Sequence, residues 1–207
     1  MPPSIAPVWS ALSRVRGARI FHPEGVAHRA TLVVPGGAGT GAPLFDREGT
    51  YTATVRRSRG VGLPKPLPDT LGLAVRIEDA YGRRRHQDFL MNTSLDLPVL
   101  HHLILPALLP GQSYSSVLAY RIGSSLRVIG AIPRGPQAFD LALASLGGRL
   151  TPVARLQLGE RLPGEIAERI RFNPWHTGGA IKPAGPLQRL RGQAYPGSQQ
   201  GRERANA

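Results

Sequence analysis

Thr50-Tyr51-Thr52-Ala53-Thr54-Val55-Arg56-Arg57 is the stretch on which the fold turns. Tyr51, Ala53 and Val55 alternate with Thr50, Thr52 and Thr54, the period of two expected of a strand with one face buried. Runs of the same type lie on both sides. Arg19–Val34 contains a strand stopped by Pro35-Gly36-Gly37, and Leu71–Ile77 and His86–Met91 are separated by the turn-like Asp79-Ala80-Tyr81-Gly82. Tyr114–Ile122 and Ser125–Ile132 read as a hairpin around Gly123-Ser124, and Ala138–Leu146 and Leu150–Leu158 close the set. Leu95–Leu109 is apolar but punctuated by prolines, so it reads as a short helix or a packed loop. About eight short elements with a turn every 8–12 residues predict an antiparallel all-β barrel or sandwich. After Glu160 the pattern changes: Leu162–Arg171 reads as helix, Phe172–Pro186 as a Pro/Gly loop, and Leu187–Arg204 as helix with a disordered end. There is no internal repeat and no evident linker, so residues 1–207 are expected to form one domain, with a barrel over about 17–160 and a C-terminal segment over about 161–207.

Composition narrows the function classes. The chain has 207 residues, 41% of them apolar, with 25 Gly and 20 Pro, which suits a turn-rich globular domain with one core rather than a disordered chain. No apolar run reaches the roughly 20 residues of a membrane helix, and Met1-Pro2-Pro3-Ser4 opens no signal peptide, so a cytoplasmic location without membrane partners is expected. The absence of cysteine excludes disulfides, thiolate nucleophiles and thiolate-bound metal. The net charge of +13 comes almost wholly from arginine, since the lysines are Lys65 and Lys182 alone. Such a charge admits a nucleic-acid-binding β-barrel. The arginines are scattered, however, dense only at Arg83-Arg84-Arg85 and in the tail, and at 6% aromatics the chain lacks interleaved stacking residues.

Three separated segments carry the candidate chemistry: Arg19-Ile20-Phe21-His22-Pro23-Glu24-Gly25, Val55-Arg56-Arg57-Ser58, and Arg191-Gly192-Gln193-Ala194-Tyr195-Pro196-Gly197-Ser198-Gln199-Gln200-Gly201-Arg202. In the third, Arg191, Tyr195, Ser198 and Arg202 stand at spacings that share one helical face, a poor core stripe because a buried arginine needs a partner. Pro196 disfavours helix at Tyr195, so a helix starting near Pro196 with Tyr195 at its mouth is expected.

The third segment resembles the proximal haem motif of catalases, Arg-x-Phe-x-Tyr-x-Asp-Thr followed by a further Arg. The first resembles their distal Arg-Val-Val-His-Ala-Lys-Gly, supplying Arg19, His22 and Gly25, and the second their Val-Arg-Phe-Ser strand. Pro68–Arg76 is similar to the family's Asp-Pro-Arg-Gly-Phe-Ala-Val-Lys stretch, and Asp88-Phe89-Leu90-Met91-Asn92-Thr93 to Asp-Leu-Val-Gly-Asn-Asn. All five occur in the family's order, over roughly residues 17–95 and 185–204, in a chain much shorter than ordinary catalases.

The resemblance implies an antiparallel eight-stranded catalase-type barrel with a few helices, including a C-terminal proximal helix, holding haem b. It implies Tyr195 as the iron ligand, with Arg191 beside it. A free tyrosine titrates near 10, and holding one as phenolate near neutrality costs about 4 kcal/mol, which iron and a cationic neighbour can share. Arg19, Arg56 and Arg202 would hold the propionates, and Phe21 would lie beside the distal histidine against the haem. His22 would move a proton between peroxide oxygens, Asn92 would hydrogen-bond the peroxide, and Ser58 would fix the tautomer of His22. A shift of one residue would put Met91 in place of Asn92. The activity implied is that of a peroxidase or catalase-like enzyme using hydrogen peroxide or an organic hydroperoxide with a small-molecule electron donor, in a homo-oligomer by analogy. Ser94-Leu95-Asp96-Leu97-Pro98 in place of the family's aromatic run, and Gly197 in place of its Asp, leave open a barrel that binds haem or another apolar ligand without catalysis.

Plainer readings exist for each residue. His22 can be a strand-end histidine, Tyr195 a surface anchor, and Arg56 with Arg57 an edge-strand charge pair. Trp175 is expected to pack the approach to the last helix. His101-His102 and His176 lack a third ligand at metal spacing, and Pro35–Gly41 lacks the Lys-Ser/Thr ending of a phosphate loop and reads as a barrel loop.

Overall fold

The structure, a computed structural model, describes residues 25–60 and 68–184. Eight antiparallel strands form a closed ring. β1 (Gly25–Val34) pairs with β2 (Gly49–Arg59), β2 with β3 (Leu71–Ile77), and β3 with β4 (Gln87–Thr93). The ring continues through β5 (Tyr114–Ser115), β7 (Ser125–Pro133), β8 (Ala138–Ser145) and β9 (Thr151–Arg161), which returns to β1. A side ribbon of β6 (Tyr120–Ile122) and β10 (Ile181–Pro183) hangs on the start of β7. The helices are α1 (Pro43–Asp46) and α2 (Gly164–Arg169), with a 3₁₀ turn at Leu100–His102. Among the described residues no helix is long and apolar enough to cross a membrane.

The period-two pattern of the sequence becomes an inside and an outside. Ala53 and Val55 of β2 point into the ring with Leu32, Val75, Phe89, Ile129, Leu141 and Leu156, all buried. Small barrels are filled by side chains in this way. One end is plugged by α1, whose Phe45 ring stacks 6.3 Å from Phe89, while Tyr120 meets Phe89 edge-on at 6.0 Å. Such a core is intolerant of truncation.

Most expected strands stand within two or three residues of their sequence boundaries, and Pro35–Gly41 is a loop. Two expectations need correction. Tyr114–Ile122 is not one strand: β5 and β6 are split by residues 116–119, where Val117 has φ of 63°. The serines cause the break, since Ser115 Oγ accepts the Val117 N–H and Ser116 Oγ donates to Leu118 O, taking groups a ladder would use. The loop expected over 172–186 contains β10. Leu95–Leu109 is, as expected, a loop with a short helical turn, the 3₁₀ turn at Leu100–His102. The helix expected over 187–204 lies outside the described residues. Gly123, at φ 57°, makes the β6–β7 turn where a Cβ would collide with the Thr40 carbonyl.

Two buried or bonded groups give the fold a pH dependence with separable windows. His101 is fully buried, and among the described residues neither ring nitrogen makes a well-formed hydrogen bond, the Leu146 and Leu97 backbone lying only close by. Burial, then the adjacent His102, lowers its pKa, and the Leu146 and Leu97 backbone pulls the other way without reversing this. A depressed histidine lets the unfolded chain bind a proton first, so stability is complete above about pH 6.5 and erodes as pH falls. Asp46 accepts from Thr40 N–H (2.7 Å), Thr40 Oγ1 (2.9 Å) and Gly41 N–H (2.7 Å). Desolvation raises its pKa, but these hydrogen bonds outweigh it and hold the carboxyl below its ordinary value. Its contribution is therefore present above about pH 4 and is lost below that. Urea midpoints measured from pH 3 to 8 should show both losses. His101→Phe should flatten the upper one, and Asp46→Asn the lower, at a cost of about 1 kcal/mol at neutral pH.

Candidate functional site

Three of the residues nominated by sequence fall within the described structure, and all lie on the outer face of the barrel wall. Gly25, Ser58, Gly72 and Asn92 occupy one row across β1 to β4, with Ser115 of β5 next in line. The adjacent row is Ala27, Arg56, Ala74 and Leu90, and the next contains Thr54, Arg76 and Asp88. Ser58 and Asn92 flank Gly72, so the two polar groups stand about 10 Å apart across a residue without a side chain. Gly25, Ala27, Gly72 and Ala74 make this wall shallow. Arg56 is 4% exposed, and its guanidinium lies over Gly25, where a Cβ would come within 2.5 Å of Cζ. Glycine at 25 is the space into which that cation folds.

The register distinguishes Met91 from Asn92. Met91 is 1% exposed in the barrel core, whereas Asn92 is half-buried on the Ser58 face. The ungapped alignment is the one that places an amide beside Ser58. Arg56 and Arg57 are not an edge pair, because β2 is bonded on both sides; they point to opposite faces of the wall. His22, Phe21, Arg19, Arg191, Tyr195 and Arg202 lie outside the described residues.

The chain after β9 folds back over this face. Leu162 and Ala167 of the α2 segment pack on Ala27 with Ile170. Further on, a polar knot holds residues 171–176. Asp88 is fully buried and takes two hydrogen bonds from Arg76, Nε at 2.8 Å and Nη2 at 2.7 Å. It also accepts from Asn173 N–H at 2.8 Å, and His176 Nδ1 lies 3.1 Å away. Arg76 donates to Arg171 O at 2.5 Å and stacks over Phe172. Sequence reasoning did not single out this knot. Its one local signal is that Arg76 and Asp88 fall at outward positions of neighbouring strands, but the partners 85 and more residues away were not legible. Trp175 is 42% exposed, so it is Asp88 rather than the indole that fixes this segment.

Two further histidines are engaged in structural contacts. His102 ring nitrogens face Val117 O (2.8 Å) and Leu146 O (3.0 Å), and His176 is tied to Asp88. Among the described residues no three His, Asp or Glu side chains come together as a metal site.

No family profile matches the sequence, and no curated protein matches it. The fold does match that of a solved bacterial catalase, with a TM-score of 0.63 over 89% of this chain and 57% of the catalase chain, at 14% identity. The fold is thus catalase-like, and the chain spans a little over half the length of that catalase.

The Asp88 knot should be structurally decisive. Asp88→Ala strands the Arg76 guanidinium and frees residues 171–176, and is expected to cost about 3–5 kcal/mol in denaturant unfolding. Trp175→Ala should cost under 1 kcal/mol, as an exposed side chain away from such features does.

Proposed function

We propose that this chain is a haem-dependent, catalase-like oxidoreductase acting on hydrogen peroxide or an organic hydroperoxide. One observation carries the reading. Arg56 and Ser58 from one stretch of sequence and Asn92 from another share one face of the wall around a floor of glycine and alanine. The donor set fits one side of a flat, dianionic cofactor: a guanidinium for a propionate, a hydroxyl and an amide for bound oxygen species, and no bulky side chain in the row between them. The catalase-like fold supports the reading.

Haem, when bound, would supply the redox chemistry of peroxide cleavage. Tyr195 would be its iron ligand and Arg191 would favour the phenolate. Arg19, Arg56 and Arg202 would hold the carboxylates, and Phe21 would pack against the ring. His22 would accept a proton from one peroxide oxygen and return it to the other. Asn92 would donate to the peroxide, and Ser58 would hold the histidine in the required tautomer. A small-molecule donor and a homo-oligomer complete the proposal.

Hemin titrated into the full-length chain is expected to give a Soret band with a ferric tyrosinate spectrum. Tyr195→Phe should abolish the spectrum. His22→Ala should keep the colour but lower peroxide-dependent dye oxidation about 100-fold or more. A chain that stays colourless overturns the proposal. A coloured chain no more active than His22→Ala establishes instead the non-catalytic haem-binding reading, which the missing aromatic run after Thr93 favours.

A further inference from the structure

The other face of the same wall holds a second site. At the barrel end opposite α1, the described residues leave a cavity of about 400 Å³ that opens between the 107–112 and 133–136 segments. That volume lies in the range of small-molecule sites. Leu71, Ala107, Leu109 and Phe139 supply apolar walls, and Arg57, Gln112 and Tyr114 supply the polar groups.

Arg57 is the feature that asks for a ligand. It is half-buried, and among the described residues its side chain makes one hydrogen bond, from Nη1 to Pro136 O at 3.1 Å, and pairs with no carboxylate. Asp69 is paired with Arg59, and Asp140 and Asp88 point to the outer face, where Arg134 with Arg155 and Arg76 hold them. The guanidinium has one neutral protein partner and reaches solvent at the cavity mouth, where an incoming anion can meet it. Gln112 points the same way. Its side-chain oxygen accepts the Leu108 and Leu109 N–H groups at 3.2 and 3.4 Å, which orients the amide and leaves its NH₂ to donate. Tyr114 is kept protonated because burial raises its pKa more than the Arg57 charge lowers it, so its phenol is a further donor. The lining is apolar where it meets solvent: Leu109 is 61% exposed.

We propose that the open end of the barrel binds a small amphipathic carboxylate, its anionic head held by Arg57 and Gln112 and its apolar body lying against Leu71, Leu109 and Phe139. One cation among apolar walls suits a monoanion with a hydrocarbon body. A phosphate or nucleotide would find too few donors and too little polar surface, a cation would be repelled, and a neutral alkane would leave the guanidinium unmatched. Because Arg57 and Ser58 point to opposite faces of β2, this site is separate from the outer wall and needs no haem.

Octanoate and octan-1-ol, two probes of one chain length, test it in calorimetric titrations of the haem-free full chain. Octanoate is expected to bind about tenfold or more tightly than the alcohol, the gain of a hydrogen bond to a charged group. Arg57→Gln should bring octanoate to within about twofold of octanol while leaving octanol unchanged, and Arg57→Lys should restore part of the difference. Phe139→Trp, which fills the cavity, should weaken both ligands together. Equal affinity of the two probes for the wild-type chain, or undiminished octanoate binding by Arg57→Gln, overturns the proposal. Should Arg57→Gln fail to fold, Gln112→Met replaces it, expected to weaken octanoate alone by about threefold or more; an unchanged octanoate affinity there has the same overturning force.

Discussion

The ladder between β7 and β8, running from Arg127 opposite Ser145 to Pro133 opposite Phe139, closes the row of strands into a ring. Closure removes both sheet edges and obliges every strand to have one face inside and one outside. Without it, the alternation of Thr50–Arg57 would distinguish only two sides of a sheet. With it, odd positions of β2 belong to a packed interior and even positions to an outer wall. The two candidate sites are consequences of that partition. Arg56 and Ser58 stand outside, Arg57 stands inside, and they are successive residues.

The two ends of the ring are unequal for a reason visible in the packing. At one end, α1 drops Leu44 and Phe45 into the interior, and Asp46 holds the loop that delivers them. At the other, the 107–112 segment passes over the opening with its leucines partly turned to solvent. A filled end gives stability; one where the described residues leave a cavity beside a cation gives a place to bind. The outer wall is organised by a different force. There the chain after β9 is fastened by the buried Asp88 carboxylate, whose partners come from β3 and from residues 173 and 176. Buried charge of this kind fixes position more than it adds net stability.

Most of the ring was legible in the chain because strands carry their burial in a period of two. Leu71–Ile77 stands at the boundaries its pattern predicts, and Thr50–Arg57 lies inside β2. The misreadings occur where short-range side-chain bonding overrides pattern. Ser115 and Ser116 break a stretch that looks continuous, and Ile181–Pro183 becomes a strand only because β6 offers it an edge. For the candidate site, motif order drew attention to Arg56, Ser58 and Asn92, whereas Arg57, Gln112 and Tyr114 carry no local signature. They come from three segments that meet only at the barrel mouth.

Alternation and turn chemistry are local properties, and they suffice to read from the chain a turn-rich, all-β fold of about eight strands. Composition likewise rules out cysteine chemistry and shows that arginine carries the charge. Which arginine faces which compartment, that Asn92 rather than Met91 stands in line with Ser58, and that Asp88 grips a segment far along the chain emerge only from the folded barrel. Those outcomes depend on register and closure. Both are set by which strands meet, and a slip of one residue would exchange the inner and outer faces.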